Sequence, residues 1–265
     1  MSPSRWRYRK SIRRICLFAV ALSAPAGAIA AGALPLGFVY LRDIDASIAQ
    51  DIRYASADNF VGRPLPGYGA AECVLRRDAA LALKQVQADL ASAGLGLKVY
   101  DCYRPARAVR AMAQWANDGR SAGPGKRFFP HLDKSKLFAL GYIAMRSGHS
   151  SGTAVDLTLV PLPRTPAADF DPAATYGSCA GPLAQREPDD SLDMGTGYDC
   201  LDAASHTASS TITVEQRRNR ATLVAAMRKR SFHNYFREWW HFSYGAPAAY
   251  YDMPIGPRAG KTPPE

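Results

Sequence analysis

No two cysteines in this 265-residue chain stand at CxxC spacing, and only five histidines are present. The first absence excludes a cysteine-walled zinc cluster, which draws its thiolates from close pairs. The second leaves few residues to carry imidazole chemistry. Internal repeats and low-complexity tracts are also missing. The apolar run Ile15–Leu22 falls short of the ~20 residues that cross a bilayer. Acidic residues are outnumbered, 23 against 33 basic ones, but the surplus is concentrated at the start.

That start explains itself. Arg5, Arg7, Arg9, Lys10, Arg13 and Arg14 precede the apolar run, and Ala28-Ile29-Ala30 follows as a small-residue cleavage site. The order predicts a secretory leader over residues 1–30, removed on export. The rest then holds 27 basic and 23 acidic residues, a net +4. A surface so mildly basic gives no reason to invoke nucleic acid. The expected product is an exported protein, periplasmic or secreted, without stable membrane insertion. Residues 31–265 are of a length that fits one domain with one core. Four cysteines remain in it, and an even number in an exported chain predicts disulfides. Cys73–Cys102 with Cys179–Cys200 is the favoured pairing, and the other two pairings stay open.

The chain is organised around Ser147–Leu159, SGHSSGTAVDLTL. Val155, Leu157 and Leu159 alternate with Asp156 and Thr158, the period of a half-buried strand. Asp156 therefore faces something polar. Gly148 and Gly152 bracket His149 and allow a turn that brings the imidazole to the same side. A histidine and a carboxylate held together make two thirds of a catalytic zinc site.

The third ligand is expected from Glu238-Trp239-Trp240-His241. His241 would join the metal, with Glu238 beside it as a base for water. A spacing of three puts these side chains on opposite faces of a regular strand. A bulge or tight bend is therefore predicted between them. Two imidazoles and one carboxylate favour zinc, one ion per chain. His131, His206 and His233 lack such partners and are expected to be structural or at the surface.

The motifs Ser147-x-His149-x-x-Gly152-x-Ala154-x-Asp156 and Glu238-x-x-His241 resemble the D-alanyl-D-alanine dipeptidases, including the VanX-type enzymes. DIRYASADNFVGRPLPGY (51–68) and YDCYRP (100–105) carry the same resemblance. It implies one α+β domain, with a central antiparallel sheet bearing the zinc site and helices packed against it. It also implies zinc-dependent hydrolysis of free D-Ala-D-Ala, in wall-peptide turnover or glycopeptide resistance. Related zinc D,D-carboxypeptidases and endopeptidases keep a second reading open, and a non-catalytic wall-peptide module a third.

Arg104, within YDCYRP, is a surface partner for Asp101 or an electrophile that stabilises charge growing on the scissile carbonyl oxygen. The resemblance favours the second role. Asp199, ahead of Asp202, is a candidate for the substrate ammonium, against the alternative of a solvated loop acid. Ser147 either meets the substrate carboxylate or caps its own loop. Helices are expected at about Arg76–Ser92 (Leu81, Val86, Leu90), after Pro105 (Ala106, Val109, Met112, Trp115), and from the capping box Thr213–Gln216 to about Arg230 (Leu223, Met227). Trp239 and Trp240 are expected to pack beneath the site. Residues 160–212 give no regular pattern and are longer than in the related enzymes.

Overall fold

The computed structural model describes residues 34–247 and 249–258 together with Met1. The expected leader, Met1 apart, lies outside the described residues. The elements run β1 Phe38–Tyr40, α1 Leu41–Ile44, β2 Ala49–Gln50, β3 Val74–Arg76, α2 Arg77–Ala91, β4 Leu95–Asp101, α3 Ala106–Ala116, β5 Ala154–Pro161, α4 Val214–Lys229, β6 Phe232–Asn234 and β7 His241–Tyr244. Five strands form one sheet in the order β2-β4-β5-β7-β6, and β1 pairs separately with β3. The large sheet is antiparallel except at its edge, where β2 runs parallel to β4. Helices α2 and α4 pack on each other and on strands of this sheet. The architecture is the expected α+β one. No helix among the described residues is long and apolar enough to cross a membrane.

Helix α2 shows where sequence spacing misled. Leu81 is 41% exposed, whereas Ala79, Ala80, Leu83, Val86 and Leu90 are buried. Leu81 lies five residues before Val86, roughly 140° away around the helix, so the two cannot share a face. Gly94, in the left-handed conformation at φ +69°, terminates the segment. In α3, Val109, Met112 and Trp115 are buried as expected. In α4 the capping box is complete. The Gln216 amide donates to Thr213 Oγ1 at 3.2 Å, and Gln216 Oε1 accepts from the Thr213 amide at 2.8 Å. Leu223 and Met227 are fully buried below it.

Strand β5 is the sheet's centre. Its alternation puts Val155, Leu157 and Leu159 on one face, but its polar face is not open to water. Asp156 and Thr158 are buried too. The segment after β5 folds back across them. Leu192 donates to the Leu159 carbonyl at 2.9 Å, and Tyr198 stacks on Tyr100 with ring centroids 4.4 Å apart. Charge pins this irregular segment in place. Arg53 and Arg127 both pair with Asp58 and Glu187, and Lys98 pairs with Asp189 and Asp190. Both favoured disulfides are formed, Cys73–Cys102 and Cys179–Cys200.

Candidate active site

Register builds the site. Asp156 stands opposite Asp101 on β4 and opposite His241 on β7. Residues directly opposed in antiparallel strands share a face. Asp101 reaches that position through a bulge. The register shifts between Val99 and Asp101, so Asp101 rather than Tyr100 faces Asp156. The row Asp101–Asp156–His241 thus crosses three strands on one side of the sheet.

His149 comes from the turn Gly148–Ser151, immediately before β5. Ser147 Oγ accepts from the His149 amide at 3.3 Å, which is the capping role. Gly152 closes the turn at φ +77°, where a Cβ would stand 2.3 Å from Phe38 Cε1. Only glycine fits both demands. The His149 ring donates from Nδ1 to the Cys102 carbonyl at 2.7 Å. Since a carbonyl only accepts, this bond leaves the lone pair on Nε2.

Nε2 of His149 lies 3.2 Å from Asp156 Oδ1 and 3.0 Å from His241 Nδ1. His241 Nδ1 is 3.0 Å from the same Asp156 oxygen. Zinc ligand atoms at 2.0–2.1 Å in a tetrahedron stand roughly 3.3 Å apart. The triangle therefore has the dimensions of three corners of such a site. Among the described residues this trio is the group of His, Cys, Asp and Glu side chains that could hold a metal ion. Burial opposes the charge on Asp156, but the two imidazoles prevail and hold its carboxyl well below the usual range. Burial works to lower His149, but Asp156 and Asp101 together overcome it and push the imidazole up, while burial pushes His241 down.

The bend between Glu238 and His241 is present. It is made of two linked tight turns, not a bulge. The Glu238 amide donates to the Tyr235 carbonyl at 3.0 Å, and the His241 amide donates to the Glu238 carbonyl at 3.3 Å. Asn234 Nδ2 donates to the carbonyls of both Glu238 and His241, each at 3.0 Å. Glu238 Oε2 is brought to 3.9 Å from His241 Nδ1. Burial, then the charges of Asp156 and Asp199, push the Glu238 carboxyl well up. Positive charge placed at the ligand trio works in the opposite sense.

Arg104 makes the expected pairing with Asp101, but from a largely buried position and not at the surface. Its Nε and Nη2 meet Asp101 Oδ2 at 2.9 and 2.8 Å, and Tyr68 donates to Asp101 Oδ1 at 2.6 Å. Its guanidinium still lines the cavity, 3.7 Å from Asp156 Oδ2 and over the Tyr54 ring. Trp239 and Trp240 are buried beneath. Trp239 donates to Thr196, and Trp240 packs edge-on against Tyr198.

The cavity over these groups measures about 290 Å³. Asp199 lies in its wall, buried, accepting from the Tyr54 hydroxyl at 2.7 Å. Among the described residues no cationic side chain lies within 4.0 Å of it. Burial, then the Asp156 charge, push its carboxyl up to about 7. Asp202 is elsewhere, capping the turn at Ala203–Ser205 and meeting the exposed His131 at 2.6 Å. His206 and His233 stand outside the ligand trio. Tyr54, Asn234 and Tyr198 escaped the sequence reading as site residues. Tyr54 lies in DIRYASADNFVGRPLPGY, one of the stretches carrying the resemblance, which was the signal available.

Residues 35–170 and 177–256 match the peptidase M15 family described as D-ala-D-ala dipeptidase. The break at 171–176 falls within the stretch expected to carry extra length. A D-alanyl-D-alanine dipeptidase of Enterococcus faecium is 31% identical over 225 residues, covering 84% of this chain and 100% of the relative. One from Streptomyces coelicolor is 32% identical over 221 residues, covering 82% and 98%. One from Escherichia coli is 30% identical over 200 residues, covering 76% and 80%. The chain belongs to the D-ala-D-ala dipeptidase family and is a metallopeptidase.

Proposed function

We propose that this protein is a zinc-dependent dipeptidase that hydrolyses free D-alanyl-D-alanine to two D-alanines. One observation carries the substrate choice. The cavity that holds the ligand trio also holds Asp199, a buried carboxylate without a cationic partner among the described residues. A buried acid in that state is a receptor for a cation. The ammonium of a free dipeptide supplies one, and a longer peptide lacks it next to the scissile bond.

In this reading His149 Nε2, Asp156 and His241 hold the ion. When bound, it supplies Lewis acidity to the scissile carbonyl and to a water. Glu238 accepts the water proton and returns it to the leaving amine. Arg104, fixed by Asp101, faces the oxygen on which charge develops and stabilises that charge more than the neutral carbonyl. Asp199 and the Tyr54 hydroxyl orient the ammonium. Ser147, at the cavity wall, is left to its capping role. Two disulfides support an oxidising compartment, in keeping with export to the periplasm or beyond. The reaction would serve wall-peptide turnover or glycopeptide resistance.

Blocking the ammonium tests the substrate assignment. N-acetyl-D-Ala-D-Ala should lose about 100-fold or more in kcat/KM against the free dipeptide, because it leaves Asp199 unpaired. Equal turnover of the two would remove Asp199 from recognition and return the protein to the carboxypeptidase reading.

A further inference from the structure

The two disulfides close beside different halves of the cleft. Cys102 lies just beyond the end of β4, where sheet pairing stops. Its carbonyl accepts the His149 ring proton at 2.7 Å, and two residues later the Arg104 amide donates to the His149 carbonyl at 3.2 Å. Residues 102–104 therefore grip the imidazole, its backbone, and the arginine together. Two ties hold this short segment to β3 and its approach. One is a backbone hydrogen bond from Tyr103 to the Val74 carbonyl at 2.9 Å, and the other is the Cys73–Cys102 bond.

Cys200 follows Asp199 directly. Asp199 has φ +54°, a left-handed conformation that a residue with a side chain keeps only when its surroundings impose it. The surroundings here are a short ladder. The Cys179 amide donates to the Arg127 carbonyl at 3.0 Å, Gly197 to the Cys179 carbonyl at 2.9 Å, and Leu201 to the Phe128 carbonyl at 2.7 Å. The Cys179–Cys200 bond locks that ladder immediately beside the acid.

We propose that the disulfides are positioning elements with separate tasks: Cys73–Cys102 sets the metal half of the cleft, and Cys179–Cys200 sets Asp199 in the substrate half. The second task rests on the proposed dipeptidase reading; the first does not. Full metal affinity and substrate affinity then belong to the oxidised protein, and each depends on its own bond.

The test removes one bond at a time, as Cys73→Ala with Cys102→Ala, and Cys179→Ala with Cys200→Ala. Zinc affinity is read by competition with a chromophoric chelator, the site geometry from the absorption spectrum of cobalt-loaded protein, and KM and kcat at saturating zinc with D-Ala-D-Ala. The first pair should weaken zinc by about 10–100-fold and alter the cobalt spectrum, as lost outer support for a ligand does. Its KM should move little. The second pair should raise KM about tenfold or more and leave zinc affinity and spectrum unchanged. Two variants that lose only thermal stability, with zinc affinity and KM intact, would overturn the proposal. Should a pair fail to fold, the wild-type protein is equilibrated in redox buffers with and without zinc, and the thiols are mapped. Coupling is reciprocal, so zinc should protect Cys73–Cys102 from reduction more than Cys179–Cys200. Equal protection would overturn the division. Wild-type protein that binds zinc but leaves D-Ala-D-Ala intact would sink the dipeptidase reading, while the zinc measurements would still decide the first task.

Discussion

Tyr198 donates its hydroxyl to Oδ2 of Asp156 at 3.0 Å, leaving Oδ1 of the same carboxylate to both imidazoles. One oxygen is held and the other is presented. The tyrosine comes from the irregular stretch after β5, so that stretch is part of the site's support. Tyr198→Phe keeps the ring on Tyr100 and removes only the hydroxyl. It should weaken zinc binding by about tenfold or more, as loss of such outer partners does. Chelator competition checks this; unchanged affinity would reduce Tyr198 to packing.

The proposed base, Glu238, and the proposed electrophile, Arg104, should separate cleanly from metal binding. Glu238→Gln keeps the shape of the bend and should nearly abolish turnover with zinc still bound. Arg104→Ala should lower kcat by roughly 100–1,000-fold, as lost oxyanion donors do. Metal content measured beside the rate is the control. A Glu238→Gln protein with most of its turnover would show that another group takes the proton.

Asp199 sets a pH dependence. Its carboxyl in the metal-free protein is pushed up to about 7 by burial and the Asp156 charge, and in the proposed role it would bind the substrate ammonium only when ionised. A cation at the ligand trio offsets the Asp156 charge and lowers that value, so kcat/KM of the metal-loaded enzyme should rise with pH through a midpoint below about 7. Asp199→Asn should flatten that limb and raise KM. The same shift affects stability in the opposite direction. A folded state that holds the proton more tightly than the unfolded chain loses stability as pH rises from ~4 towards the folded value. Denaturation of the metal-free protein across that window should show a smaller loss in Asp199→Asn.

Gly152 is a sharper test of the fold around His149. Alanine there meets a left-handed backbone, costing about 1–2 kcal/mol, and also the Phe38 ring at 2.3 Å. Gly152→Ala should lower stability by at least that backbone cost, and zinc affinity should fall with it. Thermal denaturation with and without zinc reads both.

Most of what the sequence carried in local pattern survived in the structure, the exposed Leu81 of α2 being the exception. The alternation around Asp156, the Thr213–Gln216 capping box and the three-residue gap from Glu238 to His241 each encode backbone shape within a few residues. The bend at Glu238 followed because both side chains needed one target. What was lost depends on partners far away in the chain. The β4 bulge that turns Asp101 inward has no sequence mark of its own. Thr158 reads as a polar strand face, but the chain near Leu192 and Tyr198 covers it. That covering stretch has no periodicity because ion pairs to Arg53, Lys98 and Arg127 and a disulfide hold it, rather than regular hydrogen bonding. In the sequence Asp199 reads equally well as a solvated loop acid, since only burial distinguishes the two.

The most direct measurement is hydrolysis of free D-Ala-D-Ala by the protein from residue 31 onward, with zinc and with chelator, beside a pentapeptide ending in D-Ala-D-Ala. A zinc dipeptidase should cleave the dipeptide, lose that activity to chelator, regain it with zinc, and leave the pentapeptide intact. Cleavage of the pentapeptide with the dipeptide spared, or dipeptide turnover indifferent to chelator, would contradict that assignment.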